Sequence, residues 1–205
     1  MKSIIILAFL FFSVMSSAKT SEETRQDQQF SVLVNPAGFG PSATVSTGAF
    51  LSYYLSPETA LEFEYMSSAF ALSFYDSYTL RMNSYALTVK QFVANSFYLR
   101  AGVGNKTANY SYSNYDIFQS TTSKRGQFSG NSIFGIVAVG NQWSINKFTI
   151  GCDWIGFAPV LSSSISETFT STATADDIDR IKNEEGHDLK DNVAIVTRFY
   201  LGMSF

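Results

Sequence analysis

The chain has 205 residues and a formal charge of −3, with 14 Lys and Arg against 17 Asp and Glu. Charged residues are 15% of the chain, against roughly 25% in an ordinary soluble domain, while aromatics reach 16%. This balance excludes the basic footprint of a nucleic-acid binder. A soluble core would account for the aromatics but hardly for the missing charge.

The chain opens "MKSIIILAFLFFSVMSSAKT", with one lysine, an apolar stretch from Ile4 to Val14 and a small-residue site ending at Ala18. That pattern predicts a secretory signal peptide over residues 1–18. Its apolar run falls short of the roughly 20 residues of a membrane-spanning helix. The next stretch, "KTSEETRQDQQ", is polar, and residues 19–28 read as a disordered lead-in. Residues 29–205 then form one domain. Its single cysteine, Cys152, rules out an intramolecular disulfide. One cysteine and one histidine argue against a His/Cys zinc site.

Eight strand candidates come next in order, each with a period of two. They cover about 29–35, 43–55, 60–68, 78–92, 97–110, 130–145, 148–160 and 192–205. In the second, Val45, Thr47, Ala49, Leu51, Tyr53 and Leu55 share one face; in the third, Leu61, Phe63 and Tyr65 oppose Glu62, Glu64 and Met66. The sixth is apolar throughout "IFGIVAVG", which leaves its facing open. In the seventh, Phe148, Ile150, Cys152 and Trp154 oppose Thr149, Gly151, Asp153 and Ile155. In the last, the alternation from Phe205 back through Met203, Leu201, Phe199, Thr197 and Ile195 to Val193 predicts one apolar face along its whole length. Turns around Pro57, Asn95 and Asn146 are tight. The other connections, 36–42, 69–77, 111–129 and 161–191, are longer. Short turns at one end and long loops at the other match an outer-membrane barrel. A soluble barrel of the lipocalin type would place its bulky apolar side chains inside, and here the faces look reversed.

The small and polar face carries Glu62, Glu64, Lys90, Arg100, Asp153 and Arg198, three acids and three bases. Eight strands enclose an interior that side chains just fill, and buried charge there must be balanced. The expected result is a plugged polar lumen with these charges clustered toward one end.

The tail "RFYLGMSF", ending on Phe205, resembles the C-terminal signature of bacterial outer-membrane barrels. The strand count and loop alternation are similar to the outer membrane protein X and W families and to the membrane domain of outer membrane protein A. The resemblance implies an all-β, eight-stranded, antiparallel up-and-down transmembrane barrel in the outer membrane, with both termini in the periplasm. It further implies recognition of Phe205 and its strand by the barrel-assembly machinery, surroundings of outer-membrane lipid and lipopolysaccharide, a monomeric state, and no cofactor or nucleic-acid partner. The role it suggests is a structural or surface-interaction scaffold. The alternatives are a narrow channel for ions or small hydrophobic solutes and a lipid-modifying enzyme.

Chemistry-bearing motifs are sparse. No serine sits in a Gly-x-Ser-x-Gly context, and the lone His187 falls in the longest loop, where nothing holds a general base in place. The stretch 175–191 carries seven acids and three bases. Clustered carboxylates suit hard cations, but the spacing is not that of a calcium loop, and a solvated charge run is expected. "YSYSNYDIFQ", from Tyr110, suggests an interfacial tyrosine cluster or an adhesive surface.

Overall fold

The computed structural model describes residues 20–39, 45–73, 76–116, 121–169, 175, 178 and 190–205. The leader, His187 and most of the acidic run at 175–191 lie outside these. Among the described residues nine strands come after a short helix: β1 (Phe30–Phe39), β2 (Val45–Ser56), β3 (Thr59–Ser73), β4 (Asp76–Phe92), β5 (Phe97–Asp116), β6 (Thr121–Ile145), β7 (Phe148–Ala158), β8 (Val160–Phe169) and β9 (Val193–Ser204). All pairings are antiparallel. They run β5-β4-β3-β2-β1-β9-β7-β6, and β5 pairs with β6 to close the ring. β8 continues the line of β7 along β6 after a break at Pro159. Eight strand positions therefore form a closed transmembrane β-barrel.

The outer surface is set by the ladder register. Phe30, Tyr53, Leu61, Val89, Ala101, Val137 and Phe157 stand side by side across seven strands, and all but Ala101 are large exposed apolar or aromatic side chains. A soluble protein does not expose such a contiguous apolar belt. In lipid the belt is the solvated face. β6, ambiguous in the sequence, turns Phe134, Ile136, Ala138 and Gln142 inward, and Ile133, Val137 and Trp143 outward.

Two expectations about facing need correction. Thr197 is exposed, yet Ile195 and Val193 are buried, so the terminal strand changes faces at Thr197. Ile155, expected inside, is 62% exposed beside the exposed Trp154. Both arise from β-bulges, in which one extra residue flips the alternation. β1 carries a bulge between Asn35 and Gly38, and the β6–β7 register slips beside Trp154. The β1–β9 and β7–β9 registers stay constant because the paired strands are bulged at the same level. Thr197 has φ 42°, a left-handed conformation that costs a non-glycine residue roughly 1 kcal/mol.

The predicted loops at 69–77 and 111–129 are instead mostly strand. β3 and β4 pair up to Ser73 and Ser77, and β5 and β6 up to Asp116 and Thr121. The loop predicted from Leu161 begins as β8. Among the described residues the barrel wall therefore stands taller along β3, β4, β5, β6 and β8 than along β7, β9, β1 and β2.

The stretch read as a disordered lead-in also differs. Helix α1 (Ser21–Gln26) starts on a capping box, with Thr20 accepting from the Glu23 amide and Glu23 accepting from the Thr20 amide. A six-residue helix is unstable alone. It holds here because it packs against the turn end of the barrel.

Candidate functional site

The site is the lumen, and the ladder builds it row by row. Ser52, Glu62, Thr88, Gly102 and Ile136 share one inward row, and Phe50, Glu64, Ala86, Gly104 and Phe134 the next. Lys90 and Arg100 pair directly one row nearer the turns, and Asp153 and Arg198 face each other across β7 and β9. The structure brings all six predicted charges into one network, each no more than 2% exposed.

Each acid in it meets two cations. Glu62 receives the Lys90 ammonium at 2.8 Å and Arg100 at 3.3 Å. Glu64 contacts Arg198 at 2.7 Å and also Arg100. Asp153 accepts from Arg100 at 3.1 Å and from Arg198 Nε at 2.9 Å. The planar guanidinium forks reach two or three carboxylates at once, which an ammonium does less well.

An aromatic and amide collar, not foreseen from the sequence, completes the layer. Lys90 Nζ lies 4.6 Å from the Tyr98 ring centroid and 4.8 Å from that of Tyr200, and donates to Gln142 Oε1 at 3.0 Å. Gln142 in turn donates to the Tyr54 hydroxyl at 2.8 Å, Tyr200 donates to Tyr98 at 2.9 Å, and Tyr98 donates to Asp153. Arg198 lies over the Phe50 ring at 5.1 Å.

Below this layer, α1 closes the turn end. Arg25 is 1% exposed, donates to the carbonyls of Pro57 at 2.7 Å and Asn95 at 2.9 Å, and stacks 3.7 Å over the Phe92 ring. Burial lowers its pKa from the usual arginine value, though an arginine stays charged at any physiological pH. Gln28 donates to the Asn146 carbonyl, so all three tight turns are held. Arg25→Ala should loosen the helix by about 2 kcal/mol, since hydrogen bonds from charged groups are worth roughly 1.5–3 kcal/mol. Amide exchange across Ser21–Gln26 should then accelerate about thirtyfold.

At the level of Glu62 and Glu64 part of the interior is apolar. Ala86, Phe134, Ile136, Ala158, Val193 and Ile195 form one buried cluster. Leu80, Met82, Ala108, Tyr110 and Phe128 form another nearer the tall end. Between the two clusters lies a polar row, with Asn35, Ser84, Lys106 and Ser132 all buried. Tyr110, expected at the membrane interface, is 2% exposed and stacks inside on Phe128 at 5.2 Å. Lys106, another buried inward cation, comes after Gly104 on the same face of β5 and escaped the sequence reading.

Phe205 closes the seam. Its amide donates to the Phe30 carbonyl at 2.8 Å, its carbonyl accepts from Phe30, and its outward ring stacks on Phe30 at 5.2 Å. A depression of about 770 Å³ on the outer wall, lined by Val89, Leu99, Ala101, Val139, Ile155 and Phe157 among others, opens toward lipid rather than the lumen. Among the described residues no group of three or more His, Cys, Asp or Glu is placed to hold a metal.

No known protein family matches the chain, and no curated protein does. Solved structures similar in shape include two from Acinetobacter baumannii. Acinetobacter baumannii CarO aligns with a TM-score of 0.47 at 11% identity, covering 87% of this chain and 99% of that one. Acinetobacter baumannii CarO2 aligns at 0.44 and 11%, covering 86% and 97%. The barrel assignment rests on the closed ladder.

Proposed function

We propose that this chain is an integral outer-membrane barrel with a sealed lumen, acting as a structural or surface-interaction scaffold and not as an enzyme. The observation that carries the reading is the filled cross-section. The six-charge layer, the buried polar and apolar side chains above it and α1 below it fill the described interior. Eight strands give an interior of the size that side chains fill. The leader is cleaved after Ala18, and the termini and tight turns lie in the periplasm of a Gram-negative-type bacterium, as in the protein X and W families. Outer-membrane lipid and lipopolysaccharide surround a single copy. The Phe205 strand, which hydrogen-bonds to β1 and so closes the ring, is the segment the barrel-assembly machinery reads.

Planar-bilayer recording tests the sealed lumen. Purified protein that shifts on a gel with heating, and so is a folded barrel, should give no single-channel steps. Reproducible steps from the heat-shifting species would replace the scaffold by a narrow channel.

A further inference from the structure

Above the lipid-facing belt the outer wall changes character within one row. Tyr65 and Tyr85 are neighbours with ring centroids 5.1 Å apart, and the Tyr65 hydroxyl donates to Asn83 Oδ1 at 3.2 Å. That row still carries exposed Ile133, but above it the outward side chains of β3, β4, β5, β6 and β8 are mainly amides and hydroxyls. Ser67, Asn83, Thr107, Asn131 and Ser164 stand abreast across β3, β4, β5, β6 and β8. The next row is Ala69, Arg81, Asn109, Ser129 and Ser166, and a third continues with Thr79, Ser111, Gln127 and Thr168.

We propose that this outer face is a binding surface for the phosphorylated sugar headgroup of an outer-leaflet glycolipid, lipopolysaccharide. The inference rests on the outer-membrane reading and adds to it a site and a ligand chemistry.

Three observations carry it. The first is the missing charge: a solvated protein face has charge at roughly one position in four, and in these rows Arg81 is the sole charged residue. Amides and hydroxyls both donate and accept, as a polyhydroxylated ring requires, and the single guanidinium suits a phosphate. The second is shape. Two adjoining clefts of about 460 and 360 Å³ lie on this face and share Asn109. One is lined by Thr107, Ser129, Asn131, Ser164 and Ser166, the other by Thr79, Arg81, Ser111 and Gln127. Both fall within the roughly 300–1,000 Å³ of small-molecule sites. The third is position. The face continues directly from the lipid-facing belt, at the level where an outer-leaflet glycolipid presents its sugars. Its margin is β8, which among the described residues pairs only with β6.

The test uses full-length protein, folded in detergent and checked by heat shift. It is titrated with the deacylated, phosphorylated core oligosaccharide of a rough-type lipopolysaccharide. Saturable binding is expected, weakened about tenfold in Asn109→Ala/Asn131→Ala through lost hydrogen bonds. Arg81→Gln should weaken the phosphorylated oligosaccharide but not its dephosphorylated form. Absent binding, or equal binding by the double variant, overturns the proposal. So does Ser164→Cys giving disulfide-linked dimers in glycolipid-free membranes, because a second copy would then cover the face. A chain that never heat-shifts overturns the barrel reading itself, a failure separate from loss of binding by a folded barrel.

Discussion

Arg198→Leu should destabilise the folded barrel by about 3–5 kcal/mol, the usual cost of stranding a buried charge. Arg198 is 0% exposed and bridges Glu64 and Asp153. Without it Glu64 and Asp153 each lose one of their two cation contacts, and within the six-charge network three acids face two cations. The folded fraction, read as the unboiled gel band across a urea series, should show a correspondingly lower midpoint. Arg198→Leu/Asp153→Leu should recover most of the loss. Arg100 still pairs with Glu64 in that variant, and a buried ion pair replaced by apolar groups is often neutral or better. If the single variant leaves the midpoint unchanged, or the double variant is worse than the single, the charge-balance account of the lumen fails.

The strands and their contents were largely readable because a period of two survives wherever one face meets lipid and the other a packed interior. Glu62, Glu64 and Arg100 are where alternation puts them, and Lys106 obeys the same parity, one step past Gly104. The alternation breaks at Thr197 and at Trp154–Ile155 for a reason no single strand reveals. Bulges in β1, β7 and β9 lie at one level, so each preserves its neighbour's register while reversing the facing of the residues beyond it. Counting along β9 alone cannot detect this, and it sent Ile195 and Val193 to the wrong side. Helix α1 was misread for a different reason. Thr20 and Glu23 do spell a capping box, but six residues lack the length to persist alone, and their stability comes from Arg25 reaching carbonyls of turns 32 and 70 residues away. The collar of Tyr98, Tyr200 and Gln142 was hidden by composition. Each is an ordinary outer or inner strand residue until the ladder shows which side chains meet across the lumen.

Those tyrosines need room, and glycines supply it, which leads to the second large effect. Gly140→Ala should destabilise the barrel by about 1–3 kcal/mol, the cost of overpacking a close-packed interior. A β carbon there would collide with the Cys152 carbonyl and with the Tyr98 hydroxyl. The first is backbone and cannot swing away. The second is held by Tyr200 and by Asp153, so displacing it also disturbs the charged layer. Gly135→Ala in the same strand is the control. The nearest atom to its added carbon would be Pro159 Cγ at 3.4 Å, an ordinary contact, and no described glycine has a positive φ. A glycine-to-alanine change without strain stabilises by roughly 0.4–1 kcal/mol through the unfolded chain. The urea midpoint should therefore fall for Gly140→Ala and hold or rise for Gly135→Ala. Equal shifts in both would mean that backbone freedom, and not the space beneath Tyr98, is what glycine provides in this strand.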